Sequence, residues 1–175
     1  MFAALGEETG FCRWVVRLGG QATLAAPTAR GGWSGATLLY LQATLLLDSP
    51  RQVAVRSTVN AARRDGALLA LALDGAASIR DRGGPKTAYE LAAIRPDILF
   101  ATEEGAAELG VPLEGIASVP VTALEAGGCS VHGRRVLMGG ADRDLDALAA
   151  AFCVAFLDGA APVEAAGRAV LVAAR

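Results

Sequence analysis

The sequence predicts an α/β fold built on a mainly parallel sheet, and three observations carry that prediction. Short continuous apolar runs, TLLYLQ (Thr37–Gln42), ALLALAL (Ala67–Leu73) and DILFA (Asp97–Ala101), read as strands buried on both faces. Helical patterns separate them, and strand–helix–strand order argues parallel pairing through right-handed crossovers. The length of 175 residues, with 53% hydrophobic content, suits one core of ordinary size, so residues 1–175 are read as a single domain.

The elements follow in order. FCRWVVRLGGQATLAA (Phe11–Ala26) sets two β-favouring runs around Gly19-Gly20 and is expected to be a hairpin. After the strand at Thr37–Gln42, Asp48-Ser49-Pro50 supplies a helix start, with Pro50 in the first turn, where its missing N–H costs nothing. Val55, Val59 and Ala62 share one face of that helix, and Gly66 stops it. A helix is expected over Thr87–Ile94. Another, over Glu103–Leu109, has Thr102 to cap it and Glu103 and Glu104 to complement its dipole. VPVTAL (Val119–Leu124) is a strand, and GCSVHG with RRVLM forms a hairpin whose turn holds His132. In the last part Leu145, Leu148, Phe152 and Phe156 recur at helical spacing, Gly159 ends that helix, and Pro162 opens another that runs to the last residue.

Composition excludes several functions. Sixteen basic and 18 acidic residues give a net charge of −2 with no long basic run, so nucleic acid is not an expected partner. The longest uncharged run, Gly31–Leu47, is broken by Ser34, Thr37, Gln42 and Thr44 and falls short of a membrane span. MFAALGEETG has no basic leader, which makes a cytoplasmic protein the simplest reading. Cys12, Cys129 and Cys153 form no CxxC pair, and the sole histidine, His132, has no second imidazole with which to share a metal. GGPKT (Gly83–Thr87) places Pro85 where a Walker loop needs an N–H and is read as a surface loop; GGWSG (Gly31–Gly35) fails the dinucleotide fingerprint.

One stretch invites a chemical reading. In ADRDLDALAAAFCVAFLDG (Ala141–Gly159), Asp142, Asp144 and Asp146 stand at alternate positions before an almost uncharged run. They could be an acidic site or the cap of a buried helix.

Taken in order, the segments resemble the later part of a ribokinase-type (PfkB family) carbohydrate kinase. LLDSPRQVAVRSTVNAARRDGALLALAL resembles the family's helix and strand before its central region, and RPDILFATEEGAAEL resembles its D-hydrophobic-N-x-x-E-A segment. VPVTALEAGGCSVHGRRV resembles the strand, turn and hairpin that read T-x-G-x-x-G, and DLDALAAAFCVAFLDGAAPVEAAGRAVLVAA resembles the signature D-T-T-G-A-G-D-A-F-x-A-G-F-L with its following helix. The resemblance implies a three-layer α/β/α core, and ATP and Mg²⁺ as cofactors of any active member. It also implies that the family's N-terminal substrate and lid portion, with its Gly-Gly-Asn segment, has no counterpart before Phe11, and that the tail after the last helix is missing.

The same alignment exposes departures. Where the family places G-A-G-D, whose glycines open an anion hole and whose Asp is the base, this chain has Ala147-Leu148-Ala149-Ala150, so Ala150 stands at the base position. At the N-x-x-E positions it has Thr102 and Gly105, and at T-x-G-x-x-G only Gly127 and Gly128 remain as glycines. Three readings result. The first is a catalytically degenerate domain that needs no cofactor. The second is an active ATP-dependent kinase with Glu103 or Glu104 at the metal, Thr102, Glu103, Gly127 and Gly128 at the nucleotide, Asp144 or Asp146 as base, and a partner supplying the sugar site. The third is an interaction module that forms a homodimer through an exposed sheet edge.

Overall fold

The computed structural model of the chain describes residues 1–5, 10–25, 36–47, 50, 52–137 and 144–173. Its centre is an eight-stranded sheet of order β2-β1-β3-β4-β5-β6-β7-β8. The strands are β1 (Phe2–Leu5), β2 (Ala22–Ala25), β3 (Leu38–Gln42), β4 (Leu68–Leu73), β5 (Ile98–Thr102), β6 (Val119–Ala123), β7 (Cys129–Val131) and β8 (Arg134–Val136). Pairing is parallel from β2 through β6 and antiparallel for β6–β7 and β7–β8. The helices are α1 (Gly10–Arg17), α2 (Thr44–Leu47), α3 (Gln52–Arg64), α4 (Ala76–Arg82), α5 (Gly84–Ile94), α6 (Glu103–Leu109), α7 (Leu145–Leu157) and α8 (Pro162–Ala173), with a 3-10 turn at Leu113–Gly115.

Alternation along the strands builds the three layers. Leu38, Tyr40, Ala70, Ala72, Ile98 and Phe100 point to the face covered by α1, α7 and α8. Their neighbours Leu39, Leu41, Leu69, Leu71, Leu73 and Leu99 point to the opposite face, under α2 to α6. Both layers exclude water from the central strands, which is why these strands read as unbroken apolar runs. Helix α7 is apolar almost all round because it lies between the sheet and α8: Leu148 and Phe152 are buried, while Leu145 and Phe156 are half-buried at its margin.

The three apolar strands, α3, α6, the β7–β8 hairpin, α7 and α8 lie where the sequence places them. Val55, Val59 and Ala62 are buried on α3. His132 (φ 48°) and Gly133 (φ 74°) form the left-handed two-residue turn between β7 and β8. The Asp48-Ser49 helix start and GGWSG lie outside the described residues.

Two expectations are corrected. Phe11–Ala26 is not a hairpin: Gly10–Arg17 is helix α1, and β2 runs parallel to β1. Phe11, Cys12 and Val15 fall on one helical face and are buried against the sheet, and that burial outweighs the β-propensity of Trp14-Val15-Val16. GGPKT is not a loop either. Gly84 to Thr87 form the first turn of α5, with Pro85 among the first helical positions. The sequence reading also missed β1, α2 and α4. The sheet therefore continues past β3, and β2 and β8 are its edges.

Candidate functional site

Strand order reverses between β1 and β3, and in open α/β sheets ligands settle outside the carboxyl ends of the strands. A cleft of about 410 Å³ lies at that end of the sheet, beyond β4, β5 and β6. Its walls carry Asp74, Thr102, Glu103, Glu104, Glu125 and Leu145. Four of these are carboxylates, and among the described residues no basic side chain lines the cleft.

Three of these side chains, Thr102, Glu103 and Glu104, already have local tasks. The Thr102 hydroxyl accepts a hydrogen bond from the Gly105 N–H at 3.0 Å, closing the N-terminus of α6. A Cβ at Gly105 would meet Thr102 Oγ1 at 3.1 Å and the Leu73 carbonyl at 3.4 Å, so the position that carries Glu in the resembling family is tightly enclosed here. Glu103 accepts from the backbone N–H of Glu125, tying α6 to the loop after β6. Glu104 faces Arg80 of α4 at 3.7 Å, and Arg80 also pairs with Glu108, which raises the Arg80 pKa. Among the described residues, no three His, Cys, Asp or Glu side chains group closely enough to hold a metal ion.

Gly127 and Gly128 are not part of the cleft wall. They close the turn between β6 and β7, where the Gly127 N–H donates to the Leu124 carbonyl and the Leu124 N–H to the Gly128 carbonyl, both at 3.1 Å. Gly128 (φ 89°) is required by close approach, because a Cβ there would lie 2.1 Å from the Val136 carbonyl.

The start of α7 borders the cleft at Leu145. Asp144 is exposed and caps the helix, its Oδ1 accepting from the Ala147 N–H at 3.1 Å, while its carbonyl accepts from the Leu148 N–H at 3.0 Å. Ala147 to Ala150 all lie within the helix and are all buried. Ala150 is fully buried in the core formed by the sheet, α1, α7 and α8, and is not among the residues that line the cleft. Asp142 lies outside the described residues.

Asp146 has a different role from its neighbour. It accepts a hydrogen bond from the Tyr40 hydroxyl at 2.5 Å, and Gly10 lies so close that a Cβ there would meet its Oδ2 at 2.9 Å. Tyr40 is fully buried with its ring stacked on Phe11, centroids 3.9 Å apart. Burial first, and the Asp146 charge second, push the phenol pKa well above its usual value. Asp146 thus joins α7, α1 and β3 at the reversal of strand order.

The sequence reading had Glu103, Glu104 and Asp144 but missed Asp74 and Tyr40. Asp74-Gly75 follows directly on the β4 run, so the carboxyl-end rule alone would have found it. Nothing local in TLLYLQ signals a partner 106 residues away.

No family model matches the sequence, and no curated protein matches it. Solved structures do. A probable sugar kinase from Rhizobium etli CFN 42 superposes with a TM-score of 0.69 at 14% identity, covering 87% of this chain and 58% of its own. Adenosine kinase from Sinorhizobium meliloti gives 0.65 at 20% identity, over 78% of this chain and 47% of its own. A carbohydrate kinase from Agrobacterium tumefaciens gives 0.61 at 18% identity, over 99% and 72%. The chain has the ribokinase-like kinase fold. It spans about half the length of the first two of these kinases. In a ribokinase-like frame, the acidic cleft and the closed start of α7 occupy the carboxyl-end position at which open α/β sheets take ligands.

Proposed function

We propose that residues 1–175 act as one ribokinase-like domain that has lost phosphoryl transfer. The observation that carries this reading is the start of α7. A helix N-terminus offers about half a positive charge and four free N–H donors to an anion. Here Asp144 supplies both the cap and the charge, and Ala147 to Ala150 bury their side chains. The four cleft carboxylates would repel a triphosphate, and they are not gathered for a cation that could offset them. The described residues therefore do not fit ATP·Mg²⁺. Phosphoryl transfer depends on positioning and charge stabilisation, so their joint loss costs several powers of ten in rate.

Isothermal titration with ATP·Mg²⁺, beside a coupled ADP-release assay over sugars and nucleosides, tests the reading. The expected result is no saturable binding and no turnover. A dissociation constant below about 100 μM, or turnover abolished by mutating Asp144 or Asp146, would favour the active-kinase reading with Glu103 or Glu104 at a metal. Restoring only the base, Ala150→Asp, does not rescue activity, because that side chain enters the core and not the cleft.

A second reading, compatible with the first, is a homodimer through a sheet edge. The β8 edge is short and carries exposed Arg134 and Arg135, which would oppose their own copies in an antiparallel pair. The β2 edge carries no charge. Light scattering coupled to size exclusion decides, and a stable monomer at micromolar concentration counts against pairing. No helix among the described residues is long and apolar enough to cross a membrane. We place the protein in the cytoplasm, without nucleic acid or membrane as partner.

A further inference from the structure

Away from the cleft, and sharing no residue with it, a pocket of about 100 Å³ opens between α3 and the end of α5. Arg56, Asn60 and Arg63 form its polar rim, and Leu46, Val59 and Ile94 line its apolar side. The three polar residues follow the spacing i, i+4, i+7, which puts them on one stripe of α3. Among the described residues, no carboxylate lines the pocket. Two guanidinium groups and one amide therefore face a space about large enough for one small ion.

Two features make this more than a solvated helix face. Arg63 is held in place: its guanidinium donates to the carbonyl of Arg95, the left-handed cap residue of α5 (φ 54°). That bond uses part of a five-donor fork and fixes the direction of the rest. Arg56 is half-buried, yet among the described residues it makes no hydrogen bond or ion pair. A half-buried cation without a counter-charge is costly, and a bound anion would relieve that cost. The opposing term is the C-terminal end of α5, whose partial negative charge of about one half disfavours anions. Two full positive charges outweigh it.

We propose that Arg56, Asn60 and Arg63 form a binding site for a small tetrahedral oxyanion of the phosphate or sulfate class. Such an ion offers acceptors to both guanidinium forks and to the Asn60 amide at once. Planar carboxylates satisfy fewer of these donors.

The test uses the whole chain titrated with inorganic phosphate at constant ionic strength, set with sodium chloride, while the arginine Nε–H and asparagine amide signals are followed by ¹H–¹⁵N NMR. The expected result is saturable shifts at Arg56, Asn60 and Arg63 with millimolar affinity. Arg56→Gln weakens binding about tenfold by removing one charge-assisted partner. Asn60→Asp, an isosteric change at an exposed position, abolishes it by placing a negative charge on the rim. Unchanged melting temperatures in phosphate-free buffer show that both variants fold. Shifts that fail to saturate, or that are equal in the wild-type chain and both variants, overturn the proposal. Because no cleft residue is involved, this outcome is independent of the ATP titration.

Discussion

Removing one oxygen atom tests how the start of α7 is held. Tyr40→Phe keeps the ring that stacks on Phe11 and deletes only the hydroxyl that donates to Asp146 at 2.5 Å. A hydrogen bond to a charged group is worth about 1.5–3 kcal/mol when its partner stays desolvated. Tyr40 is fully buried, but Asp146 is half-buried and regains some water, so the expected loss is at the lower end, about 1.5–2 kcal/mol. Urea unfolding followed by far-UV circular dichroism measures it as a lower midpoint with unchanged m-value. The same variant alters the alkaline limb of stability. Burial and Asp146 raise the native phenol pKa above the unfolded value of about 10. The stabilisation is therefore whole below pH about 10 and is lost as pH rises beyond it. Wild-type stability should fall more steeply above pH 10 than that of Tyr40→Phe. A loss below about 0.5 kcal/mol with identical alkaline limbs would refute the reasoning, since a bond making a net contribution near 1 kcal/mol or more must register on both axes.

Phe152→Ala removes a fully buried ring that meets Phe100 edge-on at 5.5 Å and should cost about 3–5 kcal/mol in the same assay. A cost below about 1 kcal/mol would mean that α7 is not core. The thiols provide a chemical probe: burial pushes Cys129 up to about 11 and Cys153 higher still, so few thiolates exist at pH 8. Iodoacetamide followed by mass spectrometry should leave both unlabelled in the native chain and label both in urea; equal native and denatured rates would disprove their burial.

How much of this was legible before the fold was known depends on how local each cause is. Strands β3, β4 and β5 are buried on both faces over all but one end residue each, so their composition alone marks them. The caps at Thr102 and Asp144, and the turn at His132-Gly133, are contacts within about three residues and are written as spacing. The acidic stretch before α7 was legible only in part: Asp144 caps the helix, as its position suggests, whereas the role of Asp146 depends on Tyr40. The segments of β1 and α1 were misread because their cause is tertiary. FAAL is too short and too alanine-rich to announce a strand, and it becomes one because β2 and β3 pair with it on both sides. FCRWVVR has β-favouring residues, yet Phe11 and Val15 are buried together only if the segment is helical and lies on the sheet beside α7. The sequence by itself determined the elements whose apolar pattern and end signals are local. The tertiary structure decided α1, β1, the Tyr40–Asp146 junction and both pockets, because each depends on groups brought together from distant parts of the chain.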